Sequence, residues 1–495
     1  MICVSIGRGR HRMLMAEHQY LAEQGIPLVE LRLDFIRRPV NIARLLKDRG
    51  CPVIATVRRP KDGGKWMRSE EDRLILLRTA IADGADYVDL ELDIAAQIPR
   101  YGRTKRIISY HNFVETPSNL EQFHAEMTRL DPDIIKIATL ANNPLDNIRM
   151  LRLVRDAQIP TVGFCMGEMG LVSRVLCGKF GSPWTYASFH EERQMAPGQM
   201  SWRQLTEEYR FDQISQSTGI LGVVADPVAH SLSPRVHNAN IRATGLDLIY
   251  LPFRVPAEYL ERFIDFCPDM DIRGLSVTLP HKEKVLKLCN VLDDNSVAAR
   301  AVNTLVFRAD RVFGYNTDLE AAMSVLAKGL ERDPNVAKCF AGLRVMILGN
   351  GGVARTIAAG LLRGGAEVFL SGRDYRKVDV VCLELKCKSV DWGARQNFPC
   401  DVMINCTSVG MFPDMDETPF EKDWFHKQVL VFDTVYNPEQ TLFIKHARQA
   451  GCRTITGVDM FVEQAARQFE LFTGEVADRE SFRYEVKRGT SAARY

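Results

Sequence analysis

The first 190 residues repeat one unit, in which a short apolar run is followed by a longer amphipathic stretch. Eight apolar runs share this pattern: ICVSI (2–6), PLVELRLD (27–34), PVIATVR (52–58), ADYVDLEL (85–92), RIISYH (106–111), DIIKIAT (133–139), IPTVGFCM (159–166) and WTYASF (184–189). Strands that alternate with helices favour a parallel sheet, and eight consecutive units predict a closed (β/α)8 TIM barrel. The first half of the chain is therefore expected to be an α/β fold.

Charged residues concentrate in or just after the C-terminal parts of these runs. Six residues share this position: Glu30, Arg32, Arg58, Glu91, His111 and Lys136. In a barrel this end of the strands carries the catalytic loops, so the six residues predict an active site. The alternative is that they form salt bridges that fill a polar barrel core.

The composition is that of an ordinary globular protein, with 46% hydrophobic and 25% charged residues. A net charge of +2 gives no argument for binding nucleic acid or a membrane surface. No apolar run approaches the roughly 18 residues that cross a bilayer. The twelve cysteines form neither a C-x-x-C pair nor a zinc-type pattern with histidine. They favour reduced thiols and a cytoplasmic location, and no metal site is expected.

Lys136 stands inside the otherwise apolar stretch DPDIIKIAT (131–139). A buried ammonium is costly, so either the amine reaches solvent at the strand end or the apolar setting favours its uncharged form. An uncharged lysine can attack a ketone and form a Schiff base. His111, at the end of the preceding strand, could exchange protons with the imine, and Glu91, one strand earlier, could orient His111.

Three arginines, Arg32, Arg58 and Arg174, supply more positive charge than a lysine nucleophile needs. Because a guanidinium group binds a carboxylate through two parallel hydrogen bonds, the substrate is expected to be an anion. The residue types alone predict an imine-forming lyase or aldolase that acts on a carboxylated ketone.

Six motifs occur in order in this half: VELRLD, TVRR, SYHNF, IIKIAT, GLVSR and APGQ. Together they make residues 1–205 resemble type I 3-dehydroquinate dehydratase. The resemblance implies that Lys136 forms an imine with the C3 ketone, and that His111 removes a C2 proton and then protonates the departing C1 hydroxyl. It implies a substrate-binding set in which Arg174 holds the carboxylate, and whose other members are Glu30, Arg32, Arg58 and Gln199. One departure is Met195, which replaces the usual serine and removes a hydroxyl from the lid loop.

The polar segment TEEYRFDQISQSTG (206–219) interrupts the repeat, and α/β alternation then continues to about residue 475. The run VMILGNGGVAR (345–355) leads a strand into three glycines, Gly349, Gly351 and Gly352. Glycines let the backbone approach a pyrophosphate, and the N-terminus of the following helix attracts its charge. This pattern predicts a dinucleotide site.

The end of the next strand predicts which dinucleotide binds. An NAD site places an acidic residue there for the ribose 2′-hydroxyl, whereas this chain has Ser371-Gly372-Arg373. An arginine at this point suits the 2′-phosphate of NADP, although Asp374 could also face the ribose. NADP is therefore predicted over NAD.

Four further residues carry polar chemistry upstream of the glycine turn. Ser231 and Ser233 in AHSLSP offer two hydroxyls, although serines on such a loop more often make a turn or a helix cap. Lys282 in VTLPHKE and Asp318 in GYNTD each follow an apolar run. A lysine and a carboxylate that meet in one cleft can pass a proton to the alkoxide formed by hydride transfer, whereas alone each would be a surface charge.

Eight motifs make about residues 219–475 resemble shikimate dehydrogenase: HSLSP, VTLPHK, AVNTL, GYNTD, GNGGVAR, NCTSVGM, DTVYNP and GVDMFVEQA. The resemblance implies a catalytic dyad of Lys282 and Asp318. It implies that Ser231 and Ser233 bind the substrate carboxylate. The residues implied to hold the substrate hydroxyls are Asn303, Asp318, Lys282 and Gln464, and those implied to line the pocket are Thr278 and Tyr436. It implies a cofactor-binding set of Gly349, Gly351, Gly352, Val353, Arg355, Ser371, Arg373, Thr407 and Gly457. Leu232 and Asn350 depart from the usual lysine and alanine.

The two halves agree chemically, because dehydration of 3-dehydroquinate yields 3-dehydroshikimate, which a shikimate dehydrogenase reduces. We therefore predict a bifunctional shikimate-pathway enzyme that uses NADPH, acts on these small molecules, and is a monomer or homodimer. Its predicted domains are a TIM barrel (1–209), a shikimate-binding domain (219–330, completed by helices at about 458–480) and a Rossmann NADP-binding domain (340–457). The last roughly 15 residues are expected to be a frayed tail.

Two alternatives remain open at this point. One is a quinate/shikimate dehydrogenase fusion that works in the catabolic direction with NAD. The other is a non-catalytic regulator that senses metabolites, which would be expected to lose catalytic groups that this chain retains.

Overall fold

The computed structural model describes residues 1–229 and 231–490. His230, the first residue of HSLSP, and residues 491–495 lie outside the described residues. Contacts divide the chain into two compact units, Met1–Gly219 with Asp247–Phe266, and Ile220–Leu246 with Cys267–Tyr495. Within the described part of the chain, no helix has the length and apolar character needed to cross a membrane.

The first unit is built around eight parallel strands, one in each of the eight predicted runs. They are β1 (Ile2–Ile6), β2 (Leu28–Arg32), β3 (Val53–Thr56), β4 (Tyr87–Glu91), β5 (Lys105–Asn112), β6 (Ile134–Leu140), β7 (Thr161–Met166) and β8 (Thr185–Ser188). Their hydrogen-bonded order is β7-β6-β5-β4-β3-β2-β1-β8. The rings of Phe164 on β7 and Tyr186 on β8 lie 6.1 Å apart, so side-chain packing joins the two ends of this order. The predicted TIM-barrel fold is confirmed.

Helices follow most of these strands. They are α1 (His11–Glu23), α2 (Ile42–Leu46), α3 (Glu70–Ala82), α4 (Leu120–Thr128), α5 (Pro144–Asp156) and α6 (Leu171–Leu176). Local sequence explains where two of them start. Ser69 accepts a hydrogen bond from the amide of Asp72 at the start of α3, and Asn143 forms a capping box ahead of Pro144 in α5. After β4 the chain makes only a 3-10 turn, Ala95–Gln97.

Alternate residues of the barrel strands face the interior, which has two layers. The lower layer is an apolar cluster that includes Cys3, Leu28, Ile54, Ile107 and Ile134. Towards the C-terminal ends of the strands the inward side chains become polar and hydrogen-bond to one another: Ser5, Glu30, Thr56, Arg58, Asp89, Ser109 and Lys136. This polar layer forms the floor of a pocket at that end of the barrel.

A second sheet is formed by residues 219–315. Its strands are β9 (Gly219–Ala225), β10 (Leu248–Arg254), β11 (Ile272–Val277), β12 (Val291–Leu292), β13 (Thr304–Arg308) and β14 (Arg311–Tyr315), in the order β10-β9-β11-β13-β14-β12. The helices between and after them are α7 (Ser233–Thr244), α8 (Leu260–Phe266), α9 (Asp294–Ala299) and α10 (Thr317–Gly329). The antiparallel pair β13 and β14 makes this sheet mixed.

The third sheet has six parallel strands. They are β15 (Arg344–Leu348), β16 (Glu367–Ser371), β17 (Lys388–Val390), β18 (Val402–Asn405), β19 (Leu430–Asp433) and β20 (Arg453–Ile455), and the helices are α11 (Gly352–Arg363), α12 (Tyr375–Leu385) and α13 (Leu442–Gln449). The order β17-β16-β15-β18-β19-β20 is the 3-2-1-4-5-6 order of dinucleotide-binding folds. The predicted Rossmann fold is confirmed.

Two helices end the described chain, α14 (Gly457–Thr473) and α15 (Arg479–Thr490). Gln468 of α14 bonds to Ser276 of β11, so this part of α14 packs on the second sheet. Phe482 and Val486 of α15 are fully buried. The prediction of a frayed tail is therefore wrong up to residue 490, because an amphipathic helix with a buried apolar face forms there.

Candidate active sites

A pocket opens at the C-terminal ends of the barrel strands and brings together seven of the eight residues predicted for this half. These seven are Glu30, Arg32, Arg58, His111, Lys136, Arg174 and Gln199. The pocket is also lined by residues that the sequence did not single out, among them Ser5, Asp62, Phe113, Phe164 and Tyr186. Glu91 does not line it.

Lys136 projects into the polar layer of the barrel. Its Nζ donates a hydrogen bond to Asp89 Oδ2 at 3.1 Å, lies 3.5 Å from Glu30 Oε1 and sits 4.0 Å from the ring centroid of Tyr186. The expectation of apolar surroundings is wrong, although Lys136 is buried as expected. Successive strand residues face opposite sides, so the flanking isoleucines point away from the barrel interior that Lys136 faces.

His111 lies at the end of β5, and its ring stacks on that of Phe113 with centroids 6.4 Å apart. Burial, reinforced by the cations Arg58 and Lys136, holds the pKa of His111 well below its usual value. The imidazole is therefore neutral near pH 7 and able to accept a proton. Its buried Nδ1 has no hydrogen-bond partner among the described residues.

Glu91 does not orient His111, so that part of the prediction is wrong. One Glu91 oxygen accepts from Arg58 Nη1 at 2.9 Å, and the other accepts from Arg73 Nη1 of α3 at 2.7 Å. Both oxygens are thus engaged by guanidinium groups. Glu91 balances the charge of two buried arginines instead of setting the tautomer of the histidine.

Asp89, which the sequence analysis missed, holds the position next to the lysine. Its Oδ2 accepts from Arg58 at 2.6 Å and from Lys136, and its Oδ1 accepts from Ser109 at 2.5 Å. Burial alone would raise the pKa of Asp89, but Arg58 and Lys136 hold it far below its usual range, so it is ionised. Asp89 shares the inward face of β4 with Glu91, and this period-two relationship could have identified it.

Arg174 has the properties expected of an anion-binding group. It is 1% exposed, its Nε lacks a partner among the described residues, and its Nη2 donates to the carbonyl of Pro197 at 3.3 Å. Its guanidinium carbon lies 4.4 Å from the ring centroid of Phe164, and burial lowers the pKa of Arg174 to about 10. A buried cation with unused N–H groups favours a negatively charged ligand.

Arg32 and Gln199 line the same pocket, but more of their polar atoms than those of Arg174 are hydrogen-bonded within the protein. Arg32 makes two 2.9 Å hydrogen bonds to Asp34. Gln199 Oε1 accepts from the amide of Met195 at 2.8 Å, and the Met195 sulfur lies 3.7 Å from Arg32 Nη1. Met195 therefore contacts Arg32 where the resemblance led us to expect a serine hydroxyl.

The second candidate site contains a lysine–carboxylate pair. Lys282 Nζ lies 2.6 Å from Asp318 Oδ2, with both side chains partly buried. Asp318 is in the first turn of α10, whose N-cap residue Asn316 accepts from the amide of Leu319. The structure thus brings together two residues that stand 36 positions apart in the chain.

Asn303 is held rigidly beside this pair. Its Nδ2 donates to Thr317 Oγ1 at 2.9 Å, and its Oδ1 accepts from the Thr317 amide at 2.8 Å. Gln468, which the sequence analysis missed, donates to the Asn303 carbonyl at 3.1 Å and accepts from Ser276 at 2.7 Å. Gln468 is buried and ties α14 to β11 and to the residue that precedes β13.

The other predicted substrate contacts come from four separate segments. Ser231 Oγ accepts from the amide of Ser233, the first residue of α7, so Ser231 bonds at the start of that helix. The Thr278 amide follows β11 and donates to the Val224 carbonyl at 3.2 Å. Tyr436 and Gln464 both contact Phe461, through a ring pair at 4.8 Å and a hydrogen bond at 3.2 Å respectively.

The glycine turn after β15 leaves room for a bound group to approach the backbone closely. Gly349 has φ +111°, and a Cβ there would lie 2.9 Å from the Cys406 carbonyl oxygen. A Cβ at Gly351 or Gly352 would meet no atom within 4 Å, so the surface is open at the start of α11. Val353 continues α11 from there. The helix N-terminus is therefore accessible to an anionic group.

The end of β16 lies beside this turn. The Gly349 amide donates to the Ser371 carbonyl at 2.8 Å, and the buried Ser371 Oγ has no partner in the described part of the chain. Arg373 is exposed. Asp374 caps α12 by accepting from the Lys377 amide at 3.3 Å, so it serves the helix rather than a ribose.

Three remaining cofactor candidates differ in what they contact. Arg355 forms an ion pair with Glu384 at 2.7 Å, which occupies the guanidinium. Thr407 Oγ1 donates to Asn405 Oδ1 at 2.7 Å after β18. Gly457 starts α14 against the Val435 carbonyl, which would lie 2.3 Å from a Cβ at that position.

Comparison with known proteins finds relatives of both halves of the chain. Residues 2–216 match the family model of type I 3-dehydroquinase, residues 223–305 match the shikimate dehydrogenase substrate binding domain, and residues 457–486 match the shikimate 5′-dehydrogenase C-terminal domain. A shikimate dehydrogenase (NADP(+)) of Methanopyrus kandleri is 37% identical over 55% of this chain and 96% of its own. A crystal structure of shikimate dehydrogenase in complex with NADP+ superposes with a TM-score of 0.52 and 28% identity, covering 56% of this chain and 98% of that one.

One relative spans both halves. The chloroplastic bifunctional 3-dehydroquinate dehydratase/shikimate dehydrogenase of Arabidopsis thaliana is 34% identical over 97% of this chain and 83% of its own length. Because this likeness covers the barrel and the dehydrogenase unit together, the chain belongs to the family of bifunctional 3-dehydroquinate dehydratase/shikimate dehydrogenases.

Proposed function

We propose that the barrel pocket dehydrates 3-dehydroquinate through a Schiff base on Lys136. The observation that carries this proposal is the position of the Lys136 amine, buried between Asp89 and Glu30 in a pocket that also contains the neutral His111. A buried amine with a neutral imidazole in the same pocket provides both the nucleophile and the base that the reaction requires.

The reaction begins when the uncharged amine of Lys136 attacks the C3 carbonyl. The carbonyl oxygen takes one proton from the amine and one from solvent and leaves as water, which gives a positively charged iminium. His111 takes a proton from C2, and the electron pair flows towards the iminium nitrogen. The C1–oxygen bond then breaks, and His111 returns the proton to the leaving hydroxyl, which departs as water. Hydrolysis of the imine releases 3-dehydroshikimate and restores the amine.

Arg174 is the group best suited to the substrate carboxylate, because it is buried and has N–H donors to spare. Glu30 and Gln199 line the pocket and are proposed to contact hydroxyls. Arg58 has a different role from the one the resemblance implied. Its Nη atoms already bond Asp89, Glu91 and Ser109, so we assign it to holding the carboxylates in place.

The dehydrogenase site is proposed to reduce 3-dehydroshikimate to shikimate. NADPH, when bound, supplies the hydride. Lys282, paired with Asp318 at 2.6 Å, donates the proton that the carbonyl oxygen requires as it becomes a hydroxyl. Ser231 and Ser233 are proposed to bind the carboxylate, with Thr278, Asn303, Tyr436 and Gln464 around the ring.

The residues around the glycine turn fit NADP better than NAD. Gly351 and Gly352 leave the start of α11 open for a pyrophosphate. Asp374 is committed to capping α12, while Arg373 is exposed beside it and able to meet a 2′-phosphate. The Methanopyrus kandleri relative and the superposed crystal structure are both named as NADP enzymes, which supports the same choice.

The division into residues 1–209, 219–330 with 458–480, and 340–457 remains our proposal, supported by one sheet in each segment. All twelve cysteines are free, which supports a cytoplasmic location. A monomer or a homodimer is proposed as the oligomeric state.

Trapping tests the first reaction directly. Borohydride added with 3-dehydroquinate should reduce the imine and leave a covalent adduct on the Lys136 peptide, as measured by mass spectrometry. Steady dehydration with an unmodified Lys136 peptide would contradict the Schiff base. For the second reaction, turnover should be fastest with shikimate and NADP, and faster turnover of quinate with NAD would overturn the assignment.

A further inference from the structure

Tyr186 of β8 touches the same nitrogen atom as the two carboxylates, yet it has no part in the reaction steps proposed for Lys136 and His111. Its ring centroid lies 4.0 Å from Lys136 Nζ, its side chain is 3% exposed, and it lines the dehydratase pocket. A cation within about 6 Å of an aromatic centroid is attracted by the negative face of the ring, most strongly where water is excluded. The contact between Tyr186 and Lys136 meets both conditions.

The ring is held in this position by its neighbours. Phe164 lies 6.1 Å away and Trp184 lies 6.4 Å away, the latter at an interplanar angle of 71°. Both are buried and belong to the interior cluster of the barrel. Because the ring is already fixed between two large aromatic side chains, it faces the lysine before the reaction starts, and no side-chain entropy has to be lost to bring it there.

The hydroxyl of Tyr186 does not explain this placement. Its oxygen is buried without a hydrogen-bond partner among the described residues, and burial raises the pKa of Tyr186 well above its usual value. The phenol is therefore neutral near pH 7, and it makes no hydrogen bond to the described residues around Lys136. The ring is the part of the side chain that meets the reacting atom.

The charge on that atom changes during the proposed reaction. The Lys136 nitrogen is neutral when it attacks the ketone and positive once the iminium has formed. Asp89 and Glu30 attract the positive charge, but a carboxylate can also accept a proton from it. An aromatic face attracts the same charge without being able to take the proton.

We propose that the π face of Tyr186 is a catalytic element of the dehydratase, which stabilises the iminium formed on Lys136. This inference rests on the proposed Schiff-base mechanism and adds a second, uncharged source of stabilisation beside Asp89. A stabilised iminium is more highly populated relative to the free amine and ketone, and the flux through C2 deprotonation is proportional to that population, so the rate of dehydration rises with the strength of the contact.

Fluorinated phenylalanines test the ring without changing its shape. The series at position 186 is Tyr186→Phe, followed by the 4-fluoro, 3,5-difluoro and 3,4,5-trifluoro analogues introduced by stop-codon suppression. Fluorine progressively removes the negative potential of the ring face. Two readouts apply: kcat for dehydration, and the fraction of Lys136 that borohydride traps at equilibrium with 3-dehydroshikimate.

Tyr186→Phe should retain activity within about twofold, and the trifluoro analogue should lower kcat and the trapped fraction about tenfold. The 4-fluoro and 3,5-difluoro analogues should give values between these two, in the order of their fluorine content. Shikimate oxidation and the thermal midpoint should stay constant along the series, which excludes a folding defect. A flat series, or a loss already complete in Tyr186→Phe, would overturn the role of the ring. If the unsubstituted protein is not trapped at Lys136 at all, the Schiff base itself fails, and this outcome is distinct from a flat series.

Discussion

Lys136 Nζ and Asp89 Oδ2 lie 3.1 Å apart inside the barrel, although 47 residues separate them in the chain. Asp89 also receives a hydrogen bond from Arg58 at 2.6 Å, so one buried carboxylate faces two cations. The side chain of Glu91, two residues later on the same strand face, bonds the two arginines Arg58 and Arg73. Variants of Asp89 and Glu91 can therefore be compared to separate an effect on the chemistry at Lys136 from an effect on charge balance in the barrel core.

Asp89→Asn should reduce kcat/KM for dehydration at least tenfold more than Glu91→Gln does. Both changes remove one buried carboxylate from arginine, and each should lower the free energy of unfolding of the barrel by about 3 kcal/mol. Only Asp89→Asn also removes a partner of Lys136. Steady-state kinetics together with urea unfolding would check this, and equal kinetic losses in the two variants would contradict a specific role for Asp89.

Lys136→Ala and Lys282→Ala should produce opposite defects. The first should abolish dehydration and leave shikimate oxidation near normal, and the second should cut dehydrogenase turnover with little change in dehydration. The reason is that Lys136 lies on β6 of the barrel whereas Lys282 follows β11 of the second sheet, and the two lysines bond different carboxylates. The two activities are measured separately on each purified variant, and joint loss of both would show that they are coupled.

The dehydratase should keep its activity in mildly acidic solution. Burial and the neighbouring cations lower the pKa of His111 below 6.5, so the neutral imidazole that accepts the proton persists as the pH falls through that value. Protonation of His111 removes activity only when the pH falls through this lowered pKa. The acid limb of kcat/KM against pH should therefore lie below pH 6.5, and a limb at or above this value would argue against His111 as the base.

Arg373→Ala should raise the KM for NADPH about tenfold or more while leaving the KM for NADH little changed, since a charge-assisted bond to the 2′-phosphate is lost. Arg344→Ala is the matched control, because Arg344 starts β15, at the end of the strand opposite the glycine turn, and is paired with Glu367. It should affect both cofactors little. Equal effects of Arg373→Ala on NADPH and NADH would place the arginine away from the 2′-phosphate.

Local sequence pattern was sufficient for much of this molecule. Each of the eight apolar runs contains one barrel strand, because short β-rich runs and amphipathic stretches are recognisable within a few residues. The glycine turn after β15 was recognisable for the same reason, since the positive φ at Gly349 is a property of a single residue that favours glycine. The C-terminal helix α15 was not, because its mostly polar composition conceals the apolar face formed by Phe482 and Val486.

The sequence by itself determined which strands exist and placed Lys136, His111 and Arg58 at one end of a barrel. Only the tertiary structure decided that Asp89 rather than Glu91 meets the lysine, and that Tyr186 covers the nitrogen from the opposite end of the strand order. These contacts depend on the register between strands and on where the barrel closes. Both are set by packing between residues tens of positions apart, which no local pattern contains.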